Sequence, residues 1–306
     1  GVGQARPFDV GLFDEFFQQA ILFQERNAPA ARVGHFLADD AGGSVRQARE
    51  VGGAKEIVAV DDEKAVGFDV GRDESGVIGI SNGNSFLNFD QGNGANGQME
   101  SHQVGLYAIR RIDALYVLGS TNYGYSDLDV TRTVQGGNVQ GDPIAHQFGA
   151  YAETGWSIDS GLMRFQPLAA LQHQLFAQQG FAETGGPGAL IVARSQADSL
   201  RTHLGGRLSV AELEDGCGRQ WSPYIHGRWV AELLDNDRLV SAAINGAPAG
   251  GSFVTAGNGL GNHFGIFGAG LNVELSDCWS AYSNYDLQVG SDLTAHTGSG
   301  GLSYTW

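Results

Sequence analysis

The sequence predicts an all-β fold, a transmembrane antiparallel up-and-down β-barrel of twelve strands preceded by a short N-terminal helix. Three observations predict it: apolar and polar residues alternate through segments of about ten residues, the connections between segments are short and long in turn, and aromatic residues gather at segment ends.

Composition removes the competing classes. The chain has 306 residues, long enough for one large β-domain or two ordinary ones, with 47 Gly, only 7 Pro and 10% aromatics. Leu, Val and Ile never gather into the run of about 18 apolar residues that a membrane helix needs. The formal charge is −16, from 34 acidic and 18 basic residues, and the lysines are Lys55 and Lys64 alone. No basic surface exists to hold nucleic acid, so a nucleic-acid partner is excluded. Cys217 and Cys278 are too few for a disulfide framework and too far apart for a zinc site, so no metal and no cofactor are expected. The chain starts at Gly1 with no secretory leader, which reads as a mature protein or a fragment.

Residues 1–62 read as a separate N-terminal segment and 63–306 as the barrel domain. Within the first, Phe13, Phe16, Phe17, Ala20 and Ile21 fall at helical spacing, predicting an amphipathic helix over 11–24. From about Val66 the period changes to two. In 199–208, Leu200, Thr202, Leu204 and Leu208 share one face, and Ser199, Arg201, His203 and Arg207 share the other. In 221–232, Trp221, Ile225, Trp229 and Ala231 oppose Ser222, Tyr224, His226, Arg228 and Glu232; in 163–174, Met163, Phe165, Ala169 and Leu171 oppose Arg164, Gln166, Gln172 and Gln174.

A soluble sandwich also alternates, and the connections discriminate. Tight turns are expected near 110–114, 157–161, 214–219 and 275–278, and long loops near 130–145, 177–198 and 236–262. Short turns on one side and long loops on the other are the habit of outer-membrane barrels. Counting back from the C-terminus gives ten strands from 77–89 to 296–306, with one or two more expected within 33–72; an even total makes twelve, with ten as the fallback. Tyr123, Tyr125, Trp156, Trp221, Trp279, Tyr304 and Trp306 sit where interfacial girdles belong. In the last strand His296, Gly298, Gly300, Leu302, Tyr304 and Trp306 share the face expected to meet lipid.

From about residue 77 to the end, the chain resembles the autotransporter β-domain, the C-terminal translocator of type V secretion proteins. The stretches that carry the likeness are Ser101-His-Gln-Val-Gly-Leu-Tyr107, Leu115-Tyr-Val-Leu-Gly119 with Tyr123-Gly-Tyr125, His146 through Gly155, Pro167-Leu-Ala-Ala-Leu171, Ser199 through Gly205, and Gly298 through Trp306. The resemblance implies a bacterial outer-membrane barrel of twelve strands, surrounded by outer-membrane lipid, that anchors and exports a passenger fused on its N-terminal side. A helix threads the pore to link the two, and 11–24 is its candidate here, although its phenylalanines suit an apolar contact better than a wet lumen. The family also implies that the barrel-assembly machinery reads the C-terminal strand, which maps to Leu302, Tyr304 and Trp306. The family's usual first strand, with a Trp-x-x-Gly pattern, is not found in the N-terminal quarter.

The polar face is expected to carry Glu153, Arg164, Arg201, Arg207, Arg228, Glu232, Glu274 and Asp286 into the lumen. Mixed charges there invite an enzymatic reading, but a polar wall cross-linked by ion pairs accounts for them equally, and no catalytic residue is assigned. Ser199 and His203 lie four residues apart on an extended chain, too far for a hydrogen-bonded nucleophile and base beside Asp198. His102, His146, His226, His263 and His296 are scattered one per segment, a placement that suits wall or interface residues. A free-standing outer-membrane pore or barrel enzyme stands as the alternative function. The two cysteines fall in neighbouring turns of the same kind, which makes a Cys217–Cys278 disulfide a candidate at the periplasmic rim.

Overall fold

The computed structural model describes residues 47–304 except 52–53, 74–75, 91–94, 135–136, 187, 211–212, 215–218, 235–238, 247–251, 257–261, 277–278 and 291–293. The expected helix over 11–24 lies outside them, as do Cys217, Cys278 and Trp306. Among the described residues no helix is long and apolar enough to cross a membrane.

The strands of the main sheet are β1 (Gln47–Val51), β2 (Ala54–Asp73), β3 (Gly76–Asp90), β4 (Ala95–Ile112), β5 (Leu115–Val134) and β6 (Ile144–Trp156). They continue as β7 (Met163–Gln178), β8 (Ser195–Val210), β9 (Gln220–Glu232), β10 (His263–Glu274), β11 (Trp279–Gly290) and β12 (Thr294–Tyr304). Each pairs antiparallel with the next in chain order, an up-and-down path compatible with the twelve strands expected. The boundary drawn at residue 62 falls inside β2, so the sheet begins earlier than the sequence alternation reveals.

Burial alternates along the central strands β5 to β9. On β8, Ser199, Arg201, His203 and Arg207 are buried and Leu204 is 52% exposed; on β9, Tyr224, His226 and Arg228 are buried while Ile225 and Trp229 stand out. The outer face is apolar and the buried face polar, the inverse of a water-soluble β-protein and the pattern a lipid-embedded sheet requires.

Successive strands are staggered in one direction. A row of direct register partners runs Tyr116, Gly155, Leu168, Gly205, Arg228, Ile266, Gln288, Ala295. Tyr116 is the second residue of β5, beside a tight turn, whereas Ala295 is the second residue of β12, at the opposite end of the sheet. Steady stagger of this kind accompanies the strand tilt of a barrel wall.

The connections at one end are short. Asp113 closes the β4–β5 turn with φ of 55°, and Gly161 closes β6–β7 with φ of 60°. Left-handed backbone suits Asp and Gly in such turns. The other end is elaborated. Residues 130–145, expected as a loop, continue the ladder instead: β5 runs on to Val134 and turns back to pair with Gly137–Gly141. The long connections after β7 and β9 together form a second, four-stranded sheet ordered Phe181–Ala182, Leu190–Val192, Leu239–Ile244 and Ser252–Ala256. Its apolar runs are too brief to show a period in the sequence. Arg132, on the β5 extension, fastens this sheet by a two-pronged bond to Glu183, at 2.8 Å to Oε1 and 2.5 Å to Oε2, and Gln140 bridges to Thr184.

Candidate functional site

The buried face of the sheet is where side chains of opposite charge converge, and three groups form there. The first centres on Glu153 of β6, whose carboxylate is almost fully buried. It accepts a hydrogen bond from the Tyr116 hydroxyl at 2.8 Å, another from the Tyr151 hydroxyl, and a third from Arg228 Nη1 at 3.0 Å; Arg228 Nη1 also donates to the Tyr151 oxygen at 2.8 Å. Arg228 stands on β9, three strands from β6 along the sheet. Its reach is cleared by the small Ala170, which lies between Glu153 and His203 in the register row. His203 packs edge-on against Tyr151 with ring centroids 6.0 Å apart, and its Nε2 lies 3.2 Å from Gln172 Oε1.

The Tyr116 ring needs a missing side chain beneath it. It lies over Gly155, its direct partner on β6, where an added Cβ would stand 2.5 Å from the ring. Tyr224 lies over Gly270 in the same way, at 2.3 Å. Part of the glycine content is thereby accounted for: glycine on one strand receives the aromatic ring of the next.

The second group joins β8 to β9, where Glu232 accepts from Ser199 Oγ at 2.6 Å, from Arg201 Nε at 3.0 Å and from the Leu200 amide at 2.8 Å. The third joins β9 to β11. His226 Nε2 and Asp286 Oδ1 are 2.7 Å apart, Asn284 Nδ2 donates to Asp286 Oδ2 at 2.7 Å, and Tyr224 donates to Asn284 at 3.2 Å. The Arg207 guanidinium covers the Tyr224 ring at 3.4 Å.

Of the eight charged residues expected on this face, the structure brings Glu153 to Arg228, Arg201 to Glu232, and Arg207 and Asp286 into one group. Arg164 stands apart, half-buried near the β6–β7 turn and bonded at 2.7 Å to Asp159; Glu274 ends β10, also half-buried. Leu302 is 63% exposed on the outer face. Tyr116, Tyr151 and Asn284 belong to the groups and had not been singled out. Strand parity offered the signal for Tyr151, which is two residues from Glu153 and therefore on its face.

Chemically the carboxylates of these groups are engaged. Each carboxylate faces at least one donor from another strand, and the Ser199 hydroxyl donates to Glu232 rather than to an imidazole. Among the described residues no cluster of His, Cys, Asp and Glu is arranged to hold a metal ion. The face is not uniformly polar, because Tyr107, Ile109, Tyr116, Leu118, Tyr151 and Ala170 form one apolar cluster on it and Met99, Leu128, Ala145 and Phe176 another.

An up-and-down sheet with an apolar outside and a cross-linked polar inside has relatives of known architecture. The autotransporter β-domain family model matches residues 64–286, most of the chain. The chain belongs to the autotransporter β-domain family. Among solved structures it is similar to the translocator domain of autotransporter NalP from Neisseria meningitidis, with a TM-score of 0.71 at 16% identity over 97% of this chain and 96% of that one. It is also similar to the β domain of the Bordetella autotransporter BrkA, with a TM-score of 0.59 at 17% identity over 86% and 96% of the two chains. The transport unit of AIDA-I from Escherichia coli gives 0.51 at 16% identity over 82% and 84%. No curated protein matches the sequence. This autotransporter β-domain is an outer-membrane β-barrel that anchors a passenger and takes part in its export by type V secretion.

Proposed function

We propose that the charged residues of the buried face line the lumen of the translocator and brace it mechanically, with no catalytic role. The observation that carries this reading is Glu153, which joins Tyr116, Tyr151 and Arg228 from three strands and is almost fully buried. Glu153, Arg201, Arg207, Arg228, Glu232 and Asp286 form the middle of the brace, with Arg164 and Glu274 nearer its turn-side end. A wall cross-linked in this way keeps its bore while an extended passenger moves through it.

In the same reading, the N-terminal segment that precedes the sheet connects passenger to barrel, and the barrel-assembly machinery recognises Leu302, Tyr304 and Trp306 at the end of the chain. Cys217 and Cys278 belong to the β8–β9 and β10–β11 connections, which lie at the same end of the sheet because β9 pairs with both β8 and β10. That placement favours a periplasmic disulfide between them.

The test is export by a Glu153→Gln variant carrying a reporter passenger. Loss of barrel stability with a proportionate loss of export supports the brace. Full stability with abolished passenger cleavage would show a catalytic carboxylate instead.

A further inference from the structure

Seven of the eight histidines are described, and two of them, His203 and His226, are buried in the inner wall. The other five, His102, His146, His173, His263 and His296, all point outward from β4, β6, β7, β10 and β12. Their levels can be compared through the register. His102 partners Tyr125, and Tyr125 partners His146; each step to the next strand climbs by about 3 Å at barrel tilt, and each residue along a strand is worth about 2.5 Å. Carried round the sheet, this places all five histidines within about 7 Å of one level. Ten residues separate His102 from Ile112 at the turn-side end of β4, or about 25 Å of height, the thickness of a barrel's apolar band.

The histidines therefore mark the loop-side border of that band. They are held there by neighbours: His146 by the Tyr123 hydroxyl at 2.8 Å and Gln179 at 3.0 Å, and His296 by the Tyr285 hydroxyl at 2.6 Å. His263 stacks on Trp229 at 5.4 Å, and His102 lies 2.5 Å from Asn84 Oδ1. Carboxylates stand on the loop side of two of them, Glu100 at 3.6 Å from His102 and Asp198 at 3.5 Å from His173. The turn-side border differs in kind, since Trp156 and Trp279 stand there, 52% and 46% exposed, and no described histidine joins them.

The two borders of the band meet chemically different leaflets, and the residue that the loop-side border carries and the described turn-side border lacks is histidine, whose imidazole can carry positive charge. We propose that these five histidines form a belt that binds the phosphate groups of the phosphorylated glycolipid in the outer leaflet, fixing the depth of the barrel from outside. The belt has donors spaced round the wall rather than one pocket, so it suits an annular lipid. The inference rests on the outer-membrane placement. Assembly, read as heat-modifiable mobility on gels, is therefore scored separately from lipid binding.

The test folds the protein into phosphatidylcholine vesicles with bisphosphorylated lipid A or its dephosphorylated form, and measures lipid retained on the barrel by native mass spectrometry. Wild type retains the phosphorylated form at least about 5-fold better than the dephosphorylated form. The variant with all five changed to Gln loses that preference, and a milder variant, His173→Gln with His263→Gln, loses part of it while keeping heat-modifiable mobility. No preference in the wild type, a preference unchanged in either variant, or one abolished by a divalent chelator would overturn the proposal.

Discussion

Leu204 and His203 are neighbours on β8 that face opposite ways, one into lipid at 52% exposure and one fully buried in the wall. An arginine on the lipid face near the midplane costs about 2–4 kcal/mol, so Leu204→Arg is expected to lose that much in refolding into vesicles, and His203→Gln far less. Equal losses would reverse the assignment of faces. Glu153→Gln leaves the Arg228 cation buried without its counter-charge, a loss on the order of 3 kcal/mol, because removing one partner of a buried pair strands the other. Gly155→Ala is expected to act on the same group from beneath, displacing Tyr116 and its bond to Glu153, with a fall in melting temperature that Tyr116→Phe reproduces in part. The faces were legible in the sequence because parity alone assigns them. The partners were not: Arg228 finds Glu153 across 75 positions of sequence, past an alanine whose smallness matters only once the stagger of the strands is known.

At the scale of the strand, β12 carries the exposed Leu302 and pairs along its whole length with β11, from Thr294 opposite Val289 to Tyr304 opposite Trp279. Trp306→Asp is expected to block membrane assembly while leaving expression intact. Normal yield of heat-modifiable, protease-resistant barrel from that variant would contradict a role for the terminal aromatic. The turns make a second claim, that Cys217 and Cys278 are both labelled by a thiol reagent from the periplasmic side after reduction; labelling of either from outside only would overturn the topology. Elements from β3 to β12 were legible from period-two alternation, whereas β1 and β2 were not placed, because 47–73 carries Asp61, Asp62, Glu63 and Lys64 in a run that masks the period. The loop-side sheet was hidden for a different reason. Its strands are two to six residues long, and they pair between connections far apart in the chain.

For the molecule as a whole, the asymmetry of the two ends gives the barrel its orientation in the membrane. Tight turns such as that at Asp113 leave one rim nearly bare, while the other bears the β5 extension and the four-stranded sheet fastened by Arg132 and Glu183. Periplasmic turns are short and external connections long in this architecture, so the elaborated rim faces outward, where an exported passenger emerges. The most direct measurement fuses a folded reporter upstream of residue 1, behind a secretory leader, and tests its protease accessibility on intact cells. The account predicts a heat-modifiable barrel in the outer-membrane fraction with the reporter cleaved from outside. An assembled, heat-modifiable barrel whose reporter stays protected in the periplasm would contradict it.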